Sequence, residues 1–301
     1  MKKIPKEKTL SKKQIKRRIG ILRFIMKTSG VSGSNPKKMN VIGKEMFLAT
    51  DSGKVRVLSY NMDNSEKLPL FINMHGSGFT MGNAEMDDHL MMHVAENAKV
   101  KILNVDYSLS PNAMFPVAIN ECYAVAKYAK EHSKELGIDG TKIAIGGHSA
   151  GGNFSTAVCL MDADRKELGI KCLILDYPPL DIHTDPYLKN TPKGALPPGV
   201  ARLFNVAYCT KQEAKNPLVS PVFATSEQVK SFPPTLIITA SNDSLCEEAE
   251  KFGEILKDAG VSVIHKRFET THGFTYKGVD EPKSKEAWQM MIDHLKKYLH
   301  E

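Results

Sequence analysis

The sequence predicts an α/β protein with a mostly parallel central sheet and helices on both faces of that sheet. Its strand candidates are short, rich in β-branched residues and mostly separated by segments long enough for a crossover helix. Several are apolar at consecutive positions, which is typical of strands that helices cover on both sides. This alternation favours a doubly wound architecture. In chain order the candidates are KVRVLSYN, LPLFINMH, VKILNVDY, KIAIGG, KCLILDY, TLIITAS and SVIHKRF.

Helices are predicted between these strands from apolar spacing and from end signals. The segment FPVAINECYAVAKYAKEHSKEL predicts a helix that ends near Gly137. The segment CEEAEKFGEILKDAG has acidic residues in its first turn and Gly260 as a stop. The last helix, SKEAWQMMIDHLKKYLH, closes the chain with the same periodicity.

One long interval interrupts the alternation of strands and helices. Residues 181–232 are rich in proline and contain no strong strand candidate, although residues 200–208 are apolar at helical spacing. An insertion of this size in a compact domain is usually functional, often as a lid.

The positive charge of the chain is concentrated at its N-terminus. The formal net charge is +7, but residues 1–27 hold eleven Lys/Arg and a single acid, Glu7. This leaves 30 basic and 33 acidic residues, a net charge of −3, in the remainder. A mildly acidic body gives no indication of nucleic-acid binding, so no nucleic-acid partner is expected.

The basic segment predicts an amphipathic helix. Ile15, Ile19, Leu22 and Met26 recur at helical spacing among lysines and arginines. Packing of this stripe on the protein's own surface is favoured; contact with a partner or with anionic lipid are the open alternatives. Arg23 interrupts the apolar part and no small-residue cleavage pattern follows closely, so a secretory signal is not supported.

Cysteine usage and hydropathy favour a cytoplasmic location, with peripheral membrane contact through the basic segment left open. The five cysteines are odd in number and scattered, with no C-x-x-C pair, as expected of free thiols in a reducing compartment. No apolar run reaches the roughly eighteen residues that a membrane-spanning helix requires.

The motif GGHSAGGN at residues 146–153 points to a nucleophilic serine. It lies between the strand candidate KIAIGG and a predicted helix, where G-x-S-x-G forms a tight strand-to-helix turn. Gly147 and Gly151 supply the small side chains that such a turn needs. The pentapeptide also occurs in ordinary glycine turns, so Ser149 is a candidate nucleophile only if it has partners.

Two residues in the order Ser, acid, His qualify as those partners. A serine needs a histidine to take its proton and a carboxylate to orient that histidine. Asp243 follows TLIITAS and His272 follows SVIHKRF, which places both at the sheet edge of Ser149. Asp176, at the end of KCLILDY, is a rival acid, but the chain continues from it into the insertion. Asp243 is therefore favoured.

The developing oxyanion also needs preorganised amide donors. The glycine-rich turn in INMHGSGFTMG follows an early strand, and the amide of Ala150 follows the nucleophile. Alone, the HGSG stretch is as well explained by an ordinary turn.

Four motifs in order resemble the hormone-sensitive-lipase-like family of α/β-hydrolases, which includes bacterial carboxylesterases and acetyl esterases. HGSGF at 75–79 is similar to the family's H-G-G-G loop, and DYSLSP at 106–111 to its D-Y-R-L-A-P. GHSAGGN at 147–153 is similar to G-D-S-A-G-G-N, and HGF at 272–274 to the catalytic histidine segment. The resemblance covers roughly residues 70–275, and the ordered set is more specific than any one piece.

The resemblance implies a role for each matched residue. Ser149 would be the nucleophile, Asp243 the orienting acid and His272 the general base and acid. The residues around the oxyanion would be Gly76, Ser77, Gly78 and Ala150.

The resemblance also implies an α/β-hydrolase fold with a helical cap over the site. Residues 1–45 would contribute to the cap, and residues 46–301 would form the hydrolase domain with a cap insertion at about 183–225. No cofactor and no metal are expected. A homodimer is compatible with the family, although no stripe in the sequence specifies one.

Three positions depart from the family pattern. Ser77 replaces a glycine, and its Cβ resists a positive φ. His148 replaces the acid that commonly precedes the nucleophile, and Ser108 replaces the arginine of D-Y-R-L. These changes leave the triad intact, but they put in doubt how the elbow and the 106–111 loop are supported.

The function expected from these residues is hydrolysis of a small-molecule ester with a short or medium acyl group, through an acyl-enzyme. An amidase or deacylase of a specialised metabolite would use the same triad, and a hydrolase-fold binding protein is the non-catalytic alternative. Asp88, His89 and His93 in DDHLMMH form a weak metal-binding pattern that lacks the H-E-x-x-H order.

Overall fold

A central eight-stranded sheet organises the structure, a computed structural model that describes residue 5, residues 10–28 and residues 40–301. The side chain of Met26, the last position of the predicted apolar stripe, lies outside the described part of the chain. The strands are β1 Lys44–Thr50, β2 Gly53–Tyr60, β3 Leu68–Met74, β4 Lys101–Asp106, β5 Ile138–His148, β6 Cys172–Asp176, β7 Thr235–Asn242 and β8 Val263–Thr271.

The strand order is β1-β2-β4-β3-β5-β6-β7-β8. Strand β2 runs antiparallel to β1 and β4, and all other neighbours are parallel. The predicted α/β class with a mostly parallel sheet is therefore confirmed.

Strand β1 is not among the strands predicted from the sequence. Among the described residues, this strand lies at the sheet edge, pairs with β2 alone, and buries a single side chain, that of Leu48. Because most of its side chains face solvent, KEMFLAT lacks the apolar signal by which the other strands were recognised.

Helices cover both faces of the sheet, as predicted. Helices α2 and α8 pack on one face of the sheet and form one apolar cluster with it. Helices α3, α4 and α7 pack on the other face and form a second cluster. None of the helices in the described ranges has the length and apolarity to cross a bilayer. The helices are α1 Lys12–Thr28, α2 Asp88–Ala98, α3 Val117–Glu131, α4 Ala150–Arg165, α5 Pro198–Tyr208, α6 Ser226–Val229, α7 Cys246–Asp258 and α8 Pro282–His300.

The basic N-terminal segment and the insertion meet in a small cluster of their own. Ile19 of α1 packs against Phe204 and Ala207 of α5, and Ile15 and Leu22 border this contact. The prediction that the stripe packs on the same chain is therefore confirmed for its described positions. All five cysteines are buried free thiols, also as expected.

Candidate active site

The turn between β5 and α4 has the geometry of a nucleophile elbow. Ser149 adopts φ 50° and ψ −119°, a conformation that a residue with a Cβ rarely takes. The two flanking glycines are required by the backbone of β3. A Cβ on Gly151 would lie 1.9 Å from the carbonyl oxygen of Met74, and one on Gly147 would lie 2.4 Å from the same oxygen. The G-x-S-x-G spacing is thus a steric requirement of this turn.

The three residues predicted to act together do meet. His272 Nε2 lies 3.0 Å from Ser149 Oγ, and His272 Nδ1 lies 2.6 Å from Asp243 Oδ2. Asp243 is buried, and its second oxygen accepts the amide hydrogen of Leu245 at 3.1 Å. A neutral His272 with its proton on Nδ1 would donate to Asp243 and accept the serine proton on Nε2.

The electrostatics of His272 suit a base that gains a proton during reaction. Burial lowers the pKa of His272, but the charge and hydrogen bond of Asp243 and the charge of Asp176 outweigh burial. The pKa of His272 therefore lies above its ordinary value. The surrounding carboxylates thus favour the imidazolium that forms when Ser149 is deprotonated.

The rival acid, Asp176, belongs to a different pair. Asp176 Oδ2 lies 2.7 Å from His148 Nδ1 and accepts a hydrogen bond from Thr275 Oγ1 at 2.7 Å. Strands β5 and β6 bring His148 and Asp176 opposite each other in register. The second departure from the family pattern, His148, is thus matched by a buried carboxylate beneath the elbow.

The other two departures also have local partners. Ser77 is absent from the positive-φ residues of the described chain; in the HGSGF stretch positive φ falls on Gly78 and Phe79, at 54° and 65°. Ser77 Oγ accepts the amide of Phe79 at 3.0 Å. Ser108 donates through its amide and its hydroxyl to the Glu121 carboxylate, both at 2.7 Å.

Residues 76–81 contain three of the four predicted oxyanion residues and are here called the oxyanion turn. They lie beside the elbow and are held by tyrosines from two other elements. Tyr107 donates to the carbonyl oxygen of His75 at 2.6 Å and lies 2.8 Å from Ser77 Oγ. The amide of Gly76 donates to Tyr276 Oη at 3.0 Å. Neither tyrosine was predicted as a functional residue, although Tyr107 lies inside DYSLSP and Tyr276 follows HGF by two residues.

The bond from Gly76 changes which amides are open for an oxyanion. Gly76 lies next to Ser149, but its hydrogen is already committed to Tyr276. In the described ranges, the amides of Ser77, Gly78 and Ala150 donate no hydrogen bond to another protein group. Of the four predicted oxyanion residues, these three therefore keep available donors.

The weak metal pattern is not assembled. Asp88 accepts hydrogen bonds from Tyr60 and from the amides of Ile42 and Gly43, and the ring Nδ1 of His93 lies 3.2 Å from Asn97 Nδ2 on the same helix. Among the residues that the structure describes, no group of three or more His, Cys, Asp or Glu side chains is arranged to hold a metal ion.

The sheet order, the elbow after β5 and the acid and histidine after β7 and β8 together define an α/β-hydrolase. A family of proteins with the alpha/beta hydrolase fold matches residues 71–276. The chain belongs to this family, and its resemblance to the hormone-sensitive-lipase-like hydrolases is confirmed.

Relatives named as esterases are similar along most of the chain. The esterase LipI of Mycobacterium tuberculosis is 29% identical over 236 residues, which cover 77% of this chain and 73% of that protein. An arylesterase of Saccharolobus solfataricus is 27% identical and covers 84% of this chain and 82% of its own length.

Two solved structures show the same architecture. The carboxylesterase EstE1 from a metagenomic library has a TM-score of 0.79 at 25% identity, covering 96% of this chain and 98% of its own. A thermostable esterase from Pseudomonas putida has a TM-score of 0.82 at 26% identity, covering 97% and 93%.

Proposed function

We propose that the protein is a serine carboxylesterase that cleaves esters with short or medium acyl groups through an acyl-enzyme. The observation that carries this proposal is the chain of hydrogen bonds from Ser149 through His272 to Asp243, with distances of 3.0 and 2.6 Å. The named esterases among its relatives support the class of carboxylic ester hydrolases.

The geometry supports a two-stage reaction. His272 Nε2 takes the proton of Ser149 Oγ as Oγ attacks the ester carbonyl carbon. When the tetrahedral intermediate collapses, His272 gives this proton to the leaving alcohol and the acyl group stays on Ser149. Water, activated by the same histidine, then releases the acid. Asp243 holds the tautomer and stabilises the imidazolium in both stages.

The oxyanion of the intermediate is proposed to lie between the oxyanion turn and the first turn of α4. The amides of Ser77, Gly78 and Ala150 would donate to it. The N-terminal end of α4 adds a favourable field for negative charge. These groups are fixed by the fold before substrate binds, which is what makes such donors effective.

The cap is proposed to consist of the N-terminal residues 1–45 and the insertion at about 183–225. Helix α5 of the insertion places the ring of Phe204 directly over Gly78, where a Cβ would lie 2.6 Å from it. Gly194 of the insertion approaches Thr271, the residue before His272. Residues of the insertion this close to the oxyanion turn and to Thr271 limit the space for substrate, which supports a small or medium acyl group.

The first experiment is hydrolysis of p-nitrophenyl esters from acetate to decanoate by the wild type, Ser149→Ala and His272→Ala. The wild type should turn over the short esters fastest. Each variant should lose activity by about 10⁶-fold in kcat, because residues that act as a unit fail together.

Two results would contradict this proposal. A Ser149→Ala variant that hydrolyses the esters as fast as the wild type would exclude Ser149 as the nucleophile. A wild type that does not hydrolyse the esters but cleaves p-nitroanilides would favour the amidase alternative. A wild type that binds both kinds of compound but cleaves neither would favour the non-catalytic binding protein.

Lipid contact of the basic segment and a homodimer stay predictions. Sedimentation with anionic vesicles at low and high salt tests the lipid contact, and analytical ultracentrifugation tests the homodimer.

A further inference from the structure

Arg23 connects the N-terminal helix to the oxyanion turn. Its Nε donates to the carbonyl oxygen of Thr80 at 2.7 Å, and its Nη2 donates to the carbonyl oxygen of Ser110 at 2.9 Å. Thr80 lies in the oxyanion turn and Ser110 lies in the loop that follows β4. A single guanidinium on α1 thus binds two loops of the hydrolase domain.

These two loops are also bonded to each other beside Arg23. The amide of Ser110 donates to the carbonyl oxygen of Phe79 at 2.9 Å, and the amides of Thr80 and Met81 donate to Ser77 O at 3.2 and 3.0 Å. Arg23 therefore closes a ring of hydrogen bonds around the backbone that carries two of the open oxyanion donors. Thr80 is fully buried, so loss of Arg23 would deprive its carbonyl of a charged donor where water has little access.

A second path of contacts runs from the same helix to the same turn. Ile19 is 1% exposed and packs on Phe204 of α5. The Phe204 ring in turn covers Gly78, whose φ of 54° and lack of a Cβ allow this approach. Helix α1 therefore contacts the oxyanion turn directly through Arg23 and indirectly through Phe204.

We propose that Arg23 is a positioning residue that couples docking of α1 to the placement of the Ser77 and Gly78 amides. The inference rests on the proposed esterase function and assigns the N-terminal helix a part in the chemical step besides covering the substrate. The planar guanidinium reaches two carbonyl oxygens in a fixed geometry, whereas a lysine ammonium is a single point charge on a flexible stem. Lysine is thus a conservative replacement for charge but not for this contact.

The test compares Arg23→Met, Arg23→Lys and Arg23→Ala with the matched changes at Arg18, an exposed arginine of the same helix. With p-nitrophenyl butyrate, kcat of Arg23→Met should fall by about tenfold to a hundredfold, the cost of a small misplacement in an active site. KM should change little, because the lost contact acts on the transition state. Arg23→Lys should fall between Arg23→Met and the wild type, and the Arg18 variants should match the wild type.

Two further measurements separate positioning from simple destabilisation. Millimolar guanidinium should restore part of kcat to Arg23→Ala and leave Arg18→Ala unchanged. Hydrogen exchange of the amides in residues 77–81 should be faster in Arg23→Met than in Arg18→Met, a result that does not depend on the reaction catalysed.

The outcomes distinguish this inference from the proposed function. Unchanged kcat and exchange in Arg23→Met would overturn the inference, as would a higher KM at constant kcat, because Arg23 would then serve substrate binding alone. A loss of kcat that guanidinium does not restore, with a matching fall in Tm, would also overturn it. Failure of the esterase proposal is seen separately, as a wild type without Ser149-dependent activity.

Discussion

Two histidine–aspartate pairs lie next to Ser149, and only one of them reaches its hydroxyl. The His272–Asp243 and His148–Asp176 contacts are nearly identical, at 2.6 and 2.7 Å between Nδ1 and Oδ2. The difference is in the surroundings: the His272 side chain is 26% exposed, whereas that of His148 is 3% exposed. The same pair of side chains is therefore accessible from the solvent side in one place and enclosed by the core in the other.

The second pair is enclosed by the core beneath the elbow. His148 packs against the rings of Trp288 and Tyr276, with centroids 5.2 and 5.5 Å away. Burial lowers the pKa of His148, but the hydrogen bond to Asp176 and the charges of Asp87 and Asp176 outweigh burial, so the pKa lies above its ordinary value. The carboxylates around His148 therefore favour its charged form beneath Ser149.

The largest expected effect separates the two carboxylates by activity. Asp243→Asn should lower kcat by about 10⁴-fold, the loss seen when the orienting carboxylate of a triad becomes an amide. Asp176→Asn should lower kcat far less, because the Asp176 carboxylate bonds to His148 and Thr275, whereas Asp243 bonds to His272. Ester hydrolysis by the two purified variants is the measurement, and equal losses would show that the pairs are not functionally distinct.

The pH dependence of the same variants provides a second test of the triad. Activity needs neutral His272, so kcat/KM should fall as pH drops through its pKa. Asp243 raises this pKa more than Asp176 does. The acid limb should therefore move to lower pH in both variants, and further in Asp243→Asn. An acid limb that stays in place in Asp243→Asn would contradict the assignment of His272 as the base.

For the stability of the fold, we expect Asp176 to matter more than Asp243, the reverse of their order for activity. Asp176→Asn removes the anion from a fully buried pair and should lower the free energy of unfolding by about 3 kcal/mol at pH 6. The folded pKa of His148 is raised, so the pair's contribution is complete below the unfolded value of about 6.5 and is lost as pH rises through the folded value. Urea unfolding should therefore show the deficit of Asp176→Asn shrinking at higher pH, and a deficit that grows with pH would exclude a charged His148.

A short sequence motif was enough to predict the elbow, because its steric requirements fall on two glycines within two residues of Ser149. The carbonyl oxygen of Met74 leaves no room for a Cβ at the glycine on either side of Ser149, and the G-x-S-x-G motif records both glycines. Asp243 was favoured over Asp176 from chain order alone, and the topology supplies the physical reason. Asp176 is the last residue of β6 and pairs in register with His148, whereas Asp243 lies beyond the end of β7, on a loop free to meet His272.

The oxyanion turn could not be predicted to the same depth. The oxyanion turn is contacted by residues from three different elements, Arg23, Tyr107 and Tyr276. The motif HGSGF contains no spacing that predicts these contacts. In the sequence, Arg23 indicated only that the apolar part is too short for a signal peptide. Nothing there predicted its hydrogen bonds to two carbonyl oxygens. Such contacts arise from the tertiary arrangement of distant segments, which a single sequence does not display.

The smallest expected effect concerns this turn, and it runs against the family pattern. Ser77→Gly would restore the family's glycine, yet Ser77 does not need a positive φ here and its hydroxyl accepts from Phe79 and contacts Tyr107. The variant should lower the free energy of unfolding by about 1 to 2 kcal/mol, from lost hydrogen bonding and added backbone freedom in the unfolded chain. Ser77→Ala, which keeps the Cβ, should lose only the hydrogen-bonding part. Urea unfolding of the three proteins tests this order. A glycine variant at least as stable as the wild type would mean that the contacts of Ser77 do not brace the oxyanion turn.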